Sequence, residues 1–208
     1  MSAPESRTSV FINCPFDPAY RAIFEAILFA IHDCGFQARC ALAEADSGQV
    51  RIEKIYTLIR QCDLGVHDLS RVELDHHSGL PRFNMPFELG IFLGAKHFGS
   101  AKQKSKRCLI LDSEAYRYQK FLSDIAGQDI RSHDNDPDQA IRCVRGWLNY
   151  DVPDGAILPS GEQIVARFRQ FLGDLPILCR RLGFASDGLD YPDFMSFTAK
   201  WLEDNPRP

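Results

Sequence analysis

Ser9-Val10-Phe11-Ile12-Asn13-Cys14-Pro15-Phe16-Asp17-Pro18 is the stretch whose reading decides the fold. Its first five residues form a short apolar run, closed by Cys14-Pro15, and read as a buried strand. Asp17-Pro18 then offers a helix N-cap with proline at the first helical position. Ile23, Phe24, Ile27, Leu28 and Ile31 follow at three- and four-residue spacing, and Gly35 stops the helix.

The same alternation continues outward from this unit. Phe36 to Leu42 is a second strand, Ala45-Asp46-Ser47-Gly48 a loop, and Ile52, Ile55, Tyr56 and Ile59 mark a second amphipathic helix. Leu64 to Leu69 makes a third strand. A polar segment, Ser70 to Phe83, leads to a helix from about Asn84 to Phe98, on which Gly90 and Gly94 are one turn apart and predict a smooth face close to a sheet. Arg107 to Leu111 is a fourth strand, Gln128 to His133 a fifth, and Pro137 to Asn149 a helix. Strand alternating with helix predicts parallel βαβ units with helices on both faces of a central sheet.

After Tyr150 the pattern changes. Val152-Pro153-Asp154-Gly155 and Pro159-Ser160-Gly161 form a connection, and two helical segments follow over 162–175 and 191–203. Residues 1–150 therefore read as the α/β domain. Residues 151–208 read as a helical extension packed on that domain or on a partner subunit, and a homo-oligomer is expected. Tyr191, Phe194, Phe197 and Trp201 recur at helical spacing, as a packing stripe does.

The 208 residues are 45% apolar and 25% charged, an ordinary globular balance. A formal net charge of −4 gives no general attraction to nucleic acid or to anionic lipid, so neither is an expected partner. Lys102, Lys104, Lys106 and Arg107 read as a solvated basic loop. The seven cysteines show no CxxC spacing and sit in apolar segments, as buried thiols of a reducing compartment do. No apolar run reaches membrane-spanning length, and Met1 to Thr8 lacks the apolar core of a signal peptide, so a cytoplasmic location is expected.

In an open parallel sheet, ligands bind at the carboxyl ends of the strands. Here those ends carry Asn13-Cys14-Pro15-Phe16-Asp17, Ala43 to Gly48 and Asp68-Leu69-Ser70, with Asn84-Met85-Pro86-Phe87-Glu88 close by. No GxGxxG or GxxxxGK[ST] loop is present. Cys14 follows a strand as phosphatase cysteines do, but Tyr20 stands where the arginine belongs, and the thiol reads as buried. Asp75-His76-His77 reads as an exposed loop, and no metal is expected. Glu88 is singled out because a helix N-terminus favours an ionised carboxylate, the form a nucleophile needs.

Phe87-Glu88-Leu89-Gly90-Ile91-Phe92-Leu93-Gly94-Ala95-Lys96 resembles the segment of nucleoside 2-deoxyribosyltransferases that carries the nucleophilic glutamate. Cys62-Asp63-Leu64-Gly65-Val66 and Val10 to Asp17 resemble further elements of that family. The same region is similar to the Toll/interleukin-1 receptor (TIR) domain, through Val10-Phe11-Ile12, Asp46-Ser47-Gly48 with Ile52, Ile55 and Ile59, Asp68-Leu69-Ser70, and Glu88-Leu89. The resemblance covers residues 9 to 112. It implies a flavodoxin-like three-layer α/β fold with a glutamate placed against a ribose.

The activity implied is cleavage of an N-glycosidic bond in a nucleotide or nucleoside. Glu88 would act at the anomeric carbon, and Asp68 or Asp63 would assist the departing base. Asn13 and Asp17 would bind ribose hydroxyls and Phe16 or Phe87 would pack on the base. Cys14, Asp46, Ser47, Arg51 and Asn84 complete the expected contact set. NAD or a nucleoside would be substrate, with no cofactor. Pro81-Arg82-Phe83-Asn84 stands where the transferases carry an aspartate, which favours hydrolysis of a nicotinamide dinucleotide over base transfer. The alternative is a non-enzymatic nucleotide-sensing or TIR-like interaction module.

Overall fold

Five strands, β1 (Ser9–Asn13), β2 (Gln37–Cys40), β3 (Leu64–Asp68), β4 (Arg107–Asp112) and β5 (Arg131–Ser132), pair in parallel in the order β2-β1-β3-β4-β5. They belong to a computed structural model that describes residues 8–43, 48–74, 79–153, 155–186 and 188–207. The helices are α1 (Arg21–Asp33), α2 (Arg51–Gln61), α3 (Asn84–Phe98), α4 (Ala101–Lys104), α5 (Pro137–Leu148), α6 (Gly161–Leu182) and α7 (Tyr191–Asp204).

Alternate strand residues sort the helices into layers. Val10, Ile12, Leu64, Val66, Leu109 and Leu111 share one core with α1 and α5. Phe11 packs with α2 and Phe92 of α3, and Ile110 packs with Met85 and Leu89 of α3. The result is a flavodoxin-like α/β/α arrangement. Strand order reverses between β1 and β3, which opens a crevice at their carboxyl ends.

Phe24 and every residue from Ala26 to Ile31 are buried on α1. A helix that is apolar all round needs cover on both sides. The sheet supplies one side and α6 and α7 the other, with the Phe29 ring 5.3 Å from that of Phe168, 5.5 Å from Phe171 and 6.0 Å from Trp201. Asp33, at the end of α1, accepts from Arg167 at 3.1 Å and Arg207 at 3.3 Å. The C-terminal helices thus share the core of the sheet domain. No helix among the described residues is long and apolar enough to cross a membrane.

Several local expectations are corrected. The first helix begins at Arg21, and Asp17 instead caps the preceding turn by accepting the Tyr20 N–H at 3.1 Å. The second strand keeps only Gln37–Cys40, and the fifth keeps two residues because turns occupy Gln128 and Ile130. Lys106 is fully buried. Its ammonium donates to the carbonyls of Ile59 and Cys62 at the end of α2, where a cation opposes the helix dipole, and stands 5.0 Å over the Phe92 ring. Gly90 and Gly94 do not face the sheet, since a Cβ at either meets nothing within 4 Å. The close approach falls at Gly65, where a Cβ would lie 2.8 Å from His67 Nε2 and 2.9 Å from Phe92. The helix 162–175 runs on to Leu182 with Pro176 inside it.

Because Phe29 joins α1 to both C-terminal helices, Phe29→Ala is expected to remove about 3–5 kcal/mol of unfolding free energy in a urea titration. A loss below about 1 kcal/mol would mean that α6 and α7 are loosely docked.

Candidate active site

The first turn of α3 is fastened to the ends of the two central strands. Asn13 donates through Nδ2 to the Met85 carbonyl at 2.9 Å and to His67 Nδ1 at 3.0 Å. That bond requires an unprotonated Nδ1, and burial, with Lys106 nearby, lowers the His67 pKa to about 3. Asn13 is 2% exposed and both amide hydrogens are engaged, so its role here is to place α3. The expected contact to ribose would require those bonds to break.

Glu88 lies one turn further along α3 and is 5% exposed. Among the described residues its carboxylate makes no hydrogen bond and no ion pair within 4 Å. Burial pushes its pKa up to about 7, and Arg51, the first residue of α2, pulls it partly back. The expectation of an ionised carboxylate held by the helix dipole is therefore corrected. The dipole acts mainly within the first turn, Glu88 is the fifth helical residue, and desolvation dominates. A carboxyl poised near neutrality can exchange a proton or present a charge.

Around it, Phe87 is 57% and Phe83 62% exposed, one helical turn apart. Asn84 is exposed on the same turn. Cys14 is buried, and its thiol is pushed well up by burial and by the nearby Asp68, Cys40, Glu88 and Asp17. It stays protonated and belongs to the hydrophobic core. Asp17 lies 3.8 Å from Arg71 in an ion pair.

Asp68 has a different environment. Its carboxylate accepts from the Ser70 N–H at 2.8 Å, from the Ser70 hydroxyl, and from His133 Nε2 at 2.9 Å. Burial raises its pKa, but the bonds from His133 and Ser70 outweigh burial and leave it below the ordinary value. The Tyr20 hydroxyl also stands close enough to favour the charged form, without the alignment of a hydrogen bond. His133 Nδ1 accepts the Asn135 N–H at 3.1 Å, which puts the ring proton on Nε2. Serine, histidine and aspartate thus meet, yet both protons point at the aspartate and no imidazole lone pair faces the serine. The group is a buried tie and cannot activate a nucleophile as a catalytic triad does.

Three other expected residues are constrained by their positions. Asp68 is fully buried, with both oxygens engaged by donors from Ser70 and His133. Asp63 precedes β3, at the opposite rim of the sheet from Glu88, and its neighbour is Lys106. The half-buried Phe16 ring makes edge-type contacts with Phe24 at 5.7 Å and Tyr191 at 5.4 Å, which hold it in the core. Asp46, Ser47 and the Asp75-His76-His77 triplet lie outside the described residues. Among the described residues no group of three His, Cys, Asp or Glu side chains is arranged to hold a metal.

Sequence reasoning did not single out His133 or Arg117. Arg117 donates to buried Asp112 at 2.6 and 2.8 Å and to the Leu69 carbonyl at 2.9 Å, which ties the ends of β3 and β4 together. Comparison of the chain with protein-family models, curated proteins and solved structures finds no match.

The raised pKa of Glu88 has a stability consequence. Between about 4.5, the ordinary value, and about 7, the folded protein binds more protons than the unfolded chain, so stability falls as pH rises through this window. Above it the full penalty is present, on the order of 3 kcal/mol. Glu88→Gln is expected to be more stable than the parent by about 2–3 kcal/mol at pH 8.5, with the gain vanishing near pH 4.5, in urea titrations at the two pH values. An equal or lower stability at pH 8.5 would mean that the carboxylate is well solvated.

Proposed function

We propose that the cleft at Glu88 cleaves the N-glycosidic bond of a nucleotide or nucleoside, with a nicotinamide dinucleotide as the favoured substrate. The observation that carries this reading is a buried carboxyl, without a partner among the described residues, near the carboxyl ends of β1 and β3. Such a group destabilises the fold, and positions of this kind concentrate at functional sites. When the bond to a base breaks, its electron pair leaves with the base and the anomeric carbon becomes cation-like. A carboxylate in a low-dielectric cleft stabilises that carbon or bonds to it, and water completes hydrolysis by taking the place of the base.

The surroundings suit this substrate class. Arg51 brings a cation toward Glu88 and makes no ion pair among the described residues, so it is available to a phosphate. Phe87 and Phe83 offer exposed aromatic surface at the start of α3. Asp68 is fully buried with both oxygens engaged by donors, and Asp63 lies at the far rim, so neither expected acid is placed to protonate a neutral purine. Oxidised nicotinamide carries its own positive charge and leaves without an acid. The resemblance of residues 9 to 112 to the deoxyribosyltransferase and TIR families points to the same glutamate.

The test is release of free base from a panel of nucleosides and dinucleotides, followed by chromatography. Glu88→Gln is expected to lower the rate by about 10²–10³ or more while the fold persists. A role as carboxylate requires the ionised form, so the parent rate should rise with pH and level off above about 7. A rate that falls above that pH would assign Glu88 the part of an acid. Protein that binds a dinucleotide by calorimetry but releases no base would favour the nucleotide-sensing reading.

A further inference from the structure

Among the described residues, the far edge of the sheet retains hydrogen-bonding capacity that no neighbour uses. β5 pairs only with Leu111 and Asp112, so Arg107–Ile110 of β4 have a strand neighbour on the β3 side alone. Ladder parity says which groups are open. The Arg107 N–H bonds to Asp63 and the Leu111 carbonyl to Leu69, so odd-numbered residues face β3. The Asp112 carbonyl accepts from His133 on the outer side, as the same parity requires of an even-numbered residue. The N–H and C=O of Cys108 and the N–H of Ile110 therefore point off the edge.

These groups form the floor of a groove of about 860 Å³. Leu93 of α3 and Trp147 of α5 line it, together with Lys96, Lys104 and the start of β4. Arg107 is already paired with Asp151 at 2.7 Å, and Arg131 lies 3.7 Å from Asp129. Lys96 and Lys104 are exposed and make no ion pair among the described residues. Lys96 stands close enough to Cys108 to offset part of the upward push of burial on that thiol.

We propose that the β4 edge docks an extended acidic segment of a partner protein, which adds to the sheet as a strand beside Arg107–Ile110. The open backbone spans about 13 Å, enough for four or five residues. Alternate side chains of the incoming strand would face the lysines of α3 and α4 and the apolar wall, so acidic and apolar residues in alternation fit best. A second copy of this chain fits poorly, because its own edge would bring the same lysines against Lys96 and Lys104. A free phosphate would use the lysines and leave the backbone groups unpaired.

The probe is a fluorescent, end-blocked octapeptide alternating glutamate and valine, titrated into the full chain at low ionic strength. Saturable anisotropy is expected, together with slowed hydrogen exchange at the Cys108 and Ile110 amides. Affinity should fall at least about tenfold for the peptide N-methylated at alternate amides, for a lysine–valine counterpart, and for K96E/K104E. The milder K96Q/K104Q, with circular dichroism on both variants, guards against misfolding. Equal binding of the N-methylated peptide would reduce the groove to an anion site and overturn strand addition. So would unchanged exchange at the two amides, or a concentration-dependent dimer that protects them without peptide.

Discussion

A buried carboxylate at the end of the central strand is the constraint on which the carboxyl rim depends. Asp68 is fully buried, and an isolated charge there would protonate or disrupt the packing. What holds it ionised is donation from His133 and Ser70. His133 follows β5, so the bond ties the centre of the sheet to a terminal strand too short to hold itself by ladder pairing. Arg117 makes a parallel tie between Asp112 and Leu69. The rim is thus fixed by side chains reaching across strands, and the crevice between β1 and β3 can stay open without the strand ends fraying.

Glu88 differs in that no donor among the described residues reaches its carboxylate. Asp68 and Glu88 lie on the same rim, both nearly sealed from water, and their pKa values move in opposite directions; Asp112, also buried there, is raised by burial despite its bonds from Arg117. Desolvation acts on all three. Donors override it at Asp68, and only the partial influence of Arg51 opposes it at Glu88. The helix that carries Glu88 is anchored one turn earlier by Asn13, which fixes the backbone from which the carboxyl projects. A rigid, under-coordinated acid is a poor arrangement for stability and a suitable one for meeting a ligand.

The strand–helix alternation was legible because its signals are local. The apolar runs at 9–13 and 107–111 and the periodic run from Asn84 to Phe98 contain their own evidence. The position of Glu88 near the strand ends was legible for the same reason, since it follows from parallel topology. Its protonation was not, because a rule about helix ends uses nearby sequence while desolvation depends on the sheet beneath. The His133 partner of Asp68 lies 65 residues away, and the Met85 partner of Asn13 lies 72 away. Lys106 was misread for a related reason. Lys-Gln-Lys-Ser-Lys-Arg has a surface composition, but only one of its lysines lies beneath the end of α2.

The two lysine environments around α4 show how one basic run serves opposite ends. Lys106 turns inward and satisfies carbonyls that α2 would otherwise bury unpaired, so it acts as part of the core. Lys96 and Lys104 remain outside, over an edge whose backbone groups have no strand to bond. Lysines on such an edge discourage a like-charged copy while leaving water, or an acidic strand, able to satisfy the amides. The short β5 is what makes this possible. Were it extended over Cys108 and Ile110, the edge would be closed and the lysines would have no open strand to guard.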